Sequence, residues 1–344
     1  DEELTTNPLG GDDMKVFNHA AKEARLDGGS LVAAGGWCAP SETLYDLCVT
    51  ETLDGILSLP EVNVARGGIN FTKGPDFSTI YSNVGFLQTE AQAIAGTTKT
   101  CYEVTCPSFT DVRLDAVGLC IKAPILTNAA YPELVNRVLE GSMVAHAHKV
   151  NASVIGRIAT AAGAAETVTD FSSTTQTTLS ALELLANYKR QTYKLGLNDT
   201  LEVILPYWVK SAIRDDLSLR TGVTHEAVSD ALIQSHFAAR SLNVQFVYDW
   251  QELDTTNATE GYPTSYTALI YPAGAFVKGT SDVITLNAVY DAAELATNVY
   301  TALFFEQGLL VANVCTDADA VTLPVCNSGR TGIANLSVCG NAVA

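Results

Sequence analysis

One stretch decides the fold, residues 132 to 162, which reads PELVNRVLEGSMVAHAHKVNASVIGRIATAA. Pro132 suits the first turn of a helix, where its missing N–H costs nothing, and Glu133 complements the positive end of the helix dipole. The spacing predicts one helix about 45 Å long, at roughly 1.5 Å per residue. Its apolar positions recur every three or four residues, at Leu134, Val138, Met143, Ala147, Val150, Val154, Ile158 and Ala161. We predict that Val138, Met143, Val150, Val154 and Ile158 form its core face.

The composition indicates a large acidic protein. The chain has 344 residues, of which 47% are hydrophobic and 17% charged, so it can bury a sizeable core. Its formal net charge of −18 argues against a surface that grips nucleic-acid phosphates. The sequence shows neither an apolar run of about 18 residues nor a basic segment ahead of one, so we predict no membrane span and no signal peptide.

The eight cysteines do not have the paired C-x-x-C spacing of a zinc site or a redox dithiol. We therefore predict free, largely buried thiols. A disulfide among the last three, Cys315, Cys326 and Cys339, stays open as an alternative.

Three segments precede the long helix. Residues 1–37 mix acidic residues with Gly-Gly pairs and predict an arm. Residues 38–60 place leucines at helical spacing and end at Pro60, which predicts a short helix or two helical turns. From Glu61 onward, alternating β-branched and aromatic residues broken by Gly67-Gly68 and Gly74-Pro75 predict long antiparallel strands around a glycine-bearing tip. Because this region has few large apolar residues, we expect it to project onto another molecule or to pack on a helix not yet placed.

The pattern after the long helix is mixed. Helices are predicted over residues 180–195 and 207–222, the second closing at Gly222, and Thr224 is expected to cap a third. Predicted strands cover residues 201–206, 243–250, 266–271 and 283–286, and residues 292–314 suit either a helix or a strand. The sum is an α+β chain with one spanning helix.

Five segments, together with the order of the predicted elements, resemble a known protein family. They are GGWCAPSETLYDL (35–47), RGGINFTKGPDFSTIY (66–81), TEAQAIAGTTK (89–99), YPELVNRVLEGSMVAHAHKVN (131–151) and LEVILPYWVKSAIRDDL (201–217). The chain resembles the tailed-bacteriophage major capsid proteins of the Hong Kong 97 type, in particular those of phages infecting actinobacteria.

The resemblance implies an α+β fold with six parts. These are an N-terminal arm (1–37), a short helical segment of the P-domain (38–60), an extended E-loop hairpin (61–105), a P-domain with its spine helix (106–175, helix 132–162), an A-domain (176–286), and a P-domain return with a C-terminal segment (287–344). Arg66, Phe71, Lys73, Asp76 and Phe77 of the E-loop would then contact a neighbouring subunit.

The resemblance also implies a function and its partners. Subunits of this family self-assemble into hexamers and pentamers that form the icosahedral head around double-stranded DNA, without enzymatic activity or a cofactor. Assembly would take place in the cytoplasm of the host bacterium, and the protein would end in the virion. A portal, a decoration protein and a maturation protease are further implied partners, and a start at Asp1 would fit removal of an upstream segment by that protease.

Lys73 carries one chemical expectation. Some members of the family join their subunits by an isopeptide bond between an E-loop lysine and an asparagine of a neighbour. Lys73 precedes Gly74 and is expected at the tip of the hairpin, where it could reach across a subunit boundary. The alternative is an exposed lysine that contributes solubility.

Sequence motifs of an enzyme are absent: the chain has no G-x-S-x-G, no G-x-x-x-x-G-K-[ST], no G-x-G-x-x-G and no H-E-x-x-H. His146 and His148 are two residues apart, so they point roughly 200° apart around a helix and cannot share a metal ion on one face. The adjacent pairs Asp12-Asp13 and Asp215-Asp216 also diverge, and we predict solvated carboxylates.

Two other classes of protein stay open. Encapsulin nanocompartments use the same fold and store a cargo enzyme in place of DNA. A secreted adhesive or carbohydrate-binding protein would fit the Ser/Thr content and the glycosylation sequons at Asn70, Asn151 and Asn198.

Overall fold

The computed structural model of the protein describes residues 47–75, 80–81, 83–169, 173–222, 224–253, 262–281 and 283–325. The chain divides into two units, Asp1–Cys48 and Val49–Ala344, and the elements below belong to the second. The arm predicted over residues 1–37 lies outside the described residues. So do Cys326 and Cys339, two of the three cysteines of the alternative disulfide.

The described residues contain α and β elements in mixed order. The helices are α1 (Glu90–Ile94), α2 (Ile125–Ala130), α3 (Pro132–Ala162), α4 (Thr174–Tyr193), α5 (Val209–Thr221), α6 (Asp230–Ala238) and α7 (Ala292–Leu295). The strands are β1 (Glu61–Asn63), β2 (Gly68–Phe71), β3 (Thr110–Arg113), β4 (Asp115–Pro124), β5 (Glu166–Thr167), β6 (Leu201–Pro206), β7 (Leu242–Val247), β8 (Ser265–Pro272), β9 (Phe276–Thr280), β10 (Ile284–Val289), β11 (Val299–Asn313) and β12 (Asp319–Pro324). This confirms the predicted α+β class.

The strands form three sheets. The first has the order β1-β9-β11-β10, with β4 also paired to the long strand β11. The second has the order β5-β12-β8-β6-β7, in which β6 and β7 run parallel and β6 and β8 antiparallel. The third is the short antiparallel pair β2-β3. The helix α3 connects the first two sheets in sequence, which is the position that a spanning helix needs.

The second sheet is covered on both faces. On one face, Leu201, Val203 and Leu205 of β6 pack with residues of α4, α5 and α6. On the other face, Ile204 packs with the second half of α3 and with parts of β8, β9 and β11. This explains why β6 is apolar at almost every position instead of alternating.

The helix α3 has the predicted bounds, but its buried face is partly different. Val150, Val154 and Ile158 are buried, whereas Val138 and Met143 are 46% and 37% exposed, so the prediction of these two as core residues is wrong for the single chain. The first half of α3 packs against α2, β4 and β11 through a small cluster around Val135, and its Arg137 forms an ion pair with Glu51. The apolar stripe is therefore deeply buried mainly along its second half.

Two predictions ahead of α3 are also wrong for the described residues. Of the short helical segment predicted over 38–60, residues 38–46 lie outside the described residues, and residues 47–60 contain no helix: the chain turns at Gly55 and its backbone is hydrogen-bonded by distant side chains, as with Leu57 N to Asn151 Oδ1 at 3.0 Å. The long strands expected from residue 61 are short: β2 and β3 have four residues each. Residues 100–109, which alternate in the sequence, have no regular structure, since no strand lies beside them.

The helix boundaries after α3 follow local signals closely. Gly222 ends α5 in the left-handed region at φ 67°, as predicted for a residue in that position. Thr224 precedes a single 3₁₀ turn and makes no side-chain cap, while Ser229 caps α6 by accepting from Leu232 N at 3.2 Å. Residues 292–314 are mostly strand β11, which the flanking strands β4 and β10 determine.

The described cysteines are exposed, so the prediction of largely buried thiols is wrong for them. Cys101 and Cys106 fall in the irregular stretch before β3, and Cys120 lies on the uncovered side of β4. Within the described part of the chain, no helix is long and apolar enough to cross a membrane.

Candidate assembly surfaces

We call the segment between β2 and β3, residues 72–109, the excursion; its described residues form no core of their own. From residue 83 to residue 109 every side chain is exposed apart from that of Gln88, which is half-buried. Leu87, Ile94 and Val104 are 95%, 81% and 84% exposed. Exposed apolar side chains at this density are typical of a surface that contacts another protein.

The helix α1 gives the excursion local order. Thr89 and Gln92 form a capping box at the start of α1, in which the Thr89 backbone N–H donates to Gln92 Oε1 at 2.9 Å. A capping box satisfies backbone groups without any tertiary packing. The shape of α1 is therefore encoded locally, while its apolar residue Ile94 stays uncovered.

The root of the excursion is packed, in contrast to its outer part. Ile69 and Phe71 of β2 and Val112 of β3 pack against a buried cluster that includes Val64 and Leu310. A Cβ atom at Gly68 would lie 2.4 Å from the Val112 carbonyl oxygen, so this position of the hairpin requires glycine. The excursion thus extends from a fixed base.

Phe71 and Lys73, both predicted to contact a neighbouring subunit, lie at this root. Phe71 is half-buried against its own chain. Lys73 Nζ donates to Asp317 Oδ1 at 2.8 Å, and Asn313 Nδ2 donates to the same oxygen at 3.1 Å. Lys73 is therefore not at the tip, as the sequence suggested, because the strand β2 already ends at Phe71.

The other predicted contact residues are less constrained. Arg66 is exposed in the turn between β1 and β2, and its carbonyl accepts from Gly68 N at 2.7 Å. Asp76 and Phe77 lie outside the described residues. The contacts of all five with another subunit stay a prediction.

The pair Asp215 and Asp216 is buried, which overturns the prediction of solvated carboxylates. Asp216 accepts from Thr175 N at 3.0 Å, in the first turn of α4, where the helix dipole favours a negative charge. Asp215 accepts from the Tyr262 hydroxyl at 3.2 Å and lies 3.2 Å from His225 Nε2. These carboxylates join α5 to neighbouring elements, which is a structural role.

The two histidines of α3 have different surroundings. His146 packs edge-on against Phe305 at 5.4 Å between ring centroids, and burial, with a further effect of Lys149, lowers its pKa. His148 lies between the Asp249 carboxylate, at 3.0 Å, and the Thr52 carbonyl oxygen, at 2.9 Å. Among the described residues, no group of three His, Cys, Asp or Glu side chains could hold a metal ion.

Comparison with known proteins gives one kind of match. No protein-family model and no curated protein sequence matches the chain. Solved structures do match: the asymmetric unit of the bacteriophage PhiM1 mature capsid has a TM-score of 0.51 at 10% identity, covering 84% of this chain and 91% of that chain. A structure from Microbacterium phage Oxtober96 has a TM-score of 0.52 at 10% identity, covering 82% of this chain and 95% of that chain.

The chain has the phage capsid fold. Each match covers more than four-fifths of this chain and more than nine-tenths of the other chain. At 10% identity the likeness concerns the fold alone. It confirms the α+β capsid architecture that the sequence resemblance implied.

Some residues that shape this capsid fold were not predicted from the sequence. Lys189 is 2% exposed, donates to the Asp317 carbonyl at 2.7 Å and pairs with Asp319 Oδ2 at 2.9 Å, so it holds the chain between β11 and β12. A signal existed: Lys189 follows Leu182 and Ala186 at helical spacing, and all three are buried. The contact between Asp249 and Asn151 was not predicted either, and no local sequence pattern indicates it.

Proposed function

We propose that this protein is the major capsid protein of a tailed phage, which self-assembles into hexamers and pentamers of an icosahedral head around double-stranded DNA. The observation that carries the proposal is the excursion: it extends from a fixed base, exposes apolar side chains over nearly its whole length, and belongs to a chain with the phage capsid fold. A hairpin with no core of its own is stabilised by lying on a neighbour. The protein would reside in the virion after assembly in the bacterial cytoplasm.

The proposed subunit has the parts named for the family. The excursion with its root would be the E-loop (61–105), and α3 the spine helix of the P-domain (106–175). The second sheet with α4, α5 and α6 would form much of the A-domain (176–286). Portal, decoration protein and maturation protease would be further partners, and the shell would have no catalytic role of its own.

The acidity of the chain suits this role. A formal charge of −18 disfavours tight binding of nucleic-acid phosphates. The enclosed DNA would therefore touch the shell only loosely, without sequence-specific hydrogen bonds. Of the three sequon residues that suggested a secreted protein, Asn151 is 4% exposed inside α3 and cannot carry a glycan there, whereas Asn70 and Asn198 are exposed.

The test is the size of the purified protein, combined with variants of the excursion. Wild-type protein should form megadalton shells on a sizing column and in electron micrographs. Leu87→Ser together with Val104→Ser should keep the subunit folded, since both side chains are exposed, and should reduce shell formation. The matched control is Leu197→Ser, which changes an 88% exposed leucine outside the excursion and should assemble normally.

A wild-type protein that stays a monomer under all conditions would contradict the proposal. If the double variant forms shells as well as the wild type does, the excursion is not part of the interface between subunits. The contents of the particles separate a phage head from an encapsulin-like compartment: nucleic acid supports the former, and a packaged protein the latter.

Lys73 allows a separate test of covalent joining. Its ion pair is with Asp317 of the same chain, to which Asn313 also donates, so Lys73 would have to leave this pair to reach an asparagine of a neighbour. If Lys73 forms an isopeptide bond, denaturing electrophoresis of wild-type shells should show ladders that Lys73→Arg shells lack. A single monomer band of unmodified mass in the wild type would exclude the bond.

A further inference from the structure

Residues 51–58, which we call the strap, run between α3 and the end of β7 with a turn at Gly55. Side chains from both elements hold its second half. Leu57 N donates to Asn151 Oδ1 at 3.0 Å on the α3 side. Gln245 accepts from Ser58 N at 2.8 Å and donates to its carbonyl at 3.0 Å on the β7 side. These contacts use neutral groups, so they do not change with pH.

The first half of the strap depends on charged groups. Glu51 forms an ion pair with Arg137 of α3, and the Thr52 carbonyl accepts from His148 Nε2 at 2.9 Å. The other ring nitrogen of His148, Nδ1, lies 3.1 and 3.0 Å from the two carboxylate oxygens of Asp249. His148 thus connects the strap to the residue that follows β7 by two positions.

The protonation state of His148 follows from its two partners. A backbone carbonyl and a carboxylate can only accept hydrogen bonds, so each ring nitrogen must carry a hydrogen for both contacts to form. Only the imidazolium has both hydrogens. Neutral His148 can donate only one of the two hydrogen bonds. At the other contact, the lone pair of the unprotonated ring nitrogen faces an acceptor oxygen, which is repulsive.

The charged and titratable groups around His148 favour the imidazolium on balance. On the β7 side these are Asp249 and Glu252, with the ring of Tyr248 at 6.3 Å between centroids. On the strap, Glu51 is paired with Arg137. Burial lowers the pKa of His148, but the Thr52 carbonyl and the Asp249 and Glu252 carboxylates outweigh burial and raise the pKa above its ordinary value.

The remaining charges near the ring come from its own helix and from the strap. Lys149 follows His148 on α3, where it is exposed, and acts mainly on the buried His146. Asp54 of the strap acts on Tyr248. Asn151 is neutral and donates to Asp249 Oδ2 at 2.6 Å, so it keeps that carboxylate aimed at His148.

We propose that His148 is a proton-controlled latch for the strap: its imidazolium form binds Thr52 and Asp249 together, and its neutral form releases the Thr52 end. The sign follows from the geometry and the surroundings. The latch is closed at mildly acidic pH and opens as the pH rises through the titration of His148, because deprotonation removes one of the two donors.

Opening the latch would expose a cavity beneath the strap. This cavity has a volume of about 270 Å³ and lies between the strap residues Leu53 and Ile56, the α3 residues Met143 and His146, and β11. His146 Nε2 is buried with no hydrogen-bond partner among the described residues, and burial lowers the pKa of this ring, whereas the pKa of His148 is raised. The two histidines of α3 therefore differ in the direction of their pKa shifts.

Hydrogen exchange measured by mass spectrometry tests the latch in the full-length protein. Exchange of a peptide covering the strap is followed from about pH 5.5 to about pH 8.5, after correction for the intrinsic rate, since the titration of a histidine falls in this range. Loss of one charge-assisted hydrogen bond should lower strap protection about tenfold at the alkaline end. Peptides from α4 should show no such change.

Three variants separate the latch from a general effect of pH. His148→Gln should give low strap protection at every pH, whereas His236→Gln, a matched change on α6, should behave as wild type. Asp249→Asn should move the midpoint of the transition to lower pH, because the imidazolium loses its carboxylate partner. If His148 had only a structural role, Asp249→Asn would not shift the pH midpoint of strap protection.

Two outcomes would overturn the proposal. One is wild-type strap protection that stays constant across the pH range, which needs no variant to fold. The other is a pH-dependent transition that His148→Gln retains, since another group would then control the strap.

Discussion

Glu202 is a half-buried acid whose surroundings can be tested by a single substitution. It lies on β6 directly opposite Tyr271 of β8, on the face that packs toward α3, and burial raises the pKa of its carboxyl. A raised pKa means that the folded protein holds this proton more tightly than the unfolded chain does. Stability is therefore lost as the pH rises from the unfolded pKa through the folded pKa.

Glu202→Gln should accordingly stabilise the protein at neutral pH by at most about 1 kcal/mol, because the carboxyl is only half-buried and partly screened by solvent. Urea unfolding at about pH 7 and about pH 4 measures this, and the gain should shrink at the lower pH as the wild-type carboxyl becomes protonated. Equal effects at both pH values would show that the substitution acts through packing instead of charge.

Single residues also show where sequence reasoning succeeds and where it fails. Pro132 and Gly222 mark the start of α3 and the end of α5 by properties of their own backbones, so both bounds could be predicted. The strap could not, because its hydrogen bonds come from Asn151 and Gln245, which are 94 and 187 residues from their partners. Local spacing contains no information about such contacts.

The hairpin β2-β3 is the element that fixes the excursion, and Gly68 is its tightest point. Gly68→Ala would place a Cβ atom 2.4 Å from the Val112 carbonyl oxygen and should open the hairpin. Hydrogen exchange of residues 110–113 should then become at least about tenfold faster, since the backbone bonds of the pair are lost. Gly67→Ala is the matched control: its Cβ would come no closer than 4.0 Å to a neighbouring atom, so exchange should stay unchanged.

A charge introduced on α3 should cost much more stability in its second half than in its first half. Val154 is 3% exposed, so Val154→Asp would bury an unpaired charge and should cost about 3 kcal/mol or more of unfolding free energy. Val138 is 46% exposed, and Val138→Asp should cost less than about 1 kcal/mol in the isolated subunit. Urea unfolding followed by circular dichroism gives both values, and equal costs would contradict the buried face described above.

The exposed first half of α3 would also take part in contacts between subunits. Leu134, Val138 and Met143 are exposed apolar residues on a helix that a capsid shell would cover. A folded Val138→Asp subunit that fails to form shells would place this face in an interface. Lys149→Ala, an exposed change on the same helix, should leave both folding and assembly unaltered.

At the scale of the whole molecule, the fold was accessible from sequence because its order of parts is unusual. A long helix with a proline at its start follows a region with little apolar content, and both features survive in the structure as α3 and the excursion. The sequence overestimated the strands of that region, since alternation alone cannot show whether a partner strand exists. Leu87 and Val104 are exposed in the single chain, which alternation could not show, and in the proposed shell a neighbouring subunit would cover them.

The charge of the whole molecule gives the last prediction. Each subunit has a formal net charge of −18, so bringing many copies together costs electrostatic repulsion. The Debye length falls from about 10 Å at roughly 0.1 M salt to about 3 Å at roughly 1 M, while burial of the apolar residues of the excursion is not weakened by salt. The concentration needed for assembly should therefore be several-fold lower at about 0.5 M than at about 0.05 M sodium chloride.

Light scattering against protein concentration measures this threshold. Sucrose is the control, because it favours burial without screening charge, and it should lower the threshold less than salt does. A threshold that rises with salt would mean that ion pairs between subunits outweigh the repulsion. Arg66 and Arg113, exposed near the root of the excursion, would then be the first cations to replace by neutral residues.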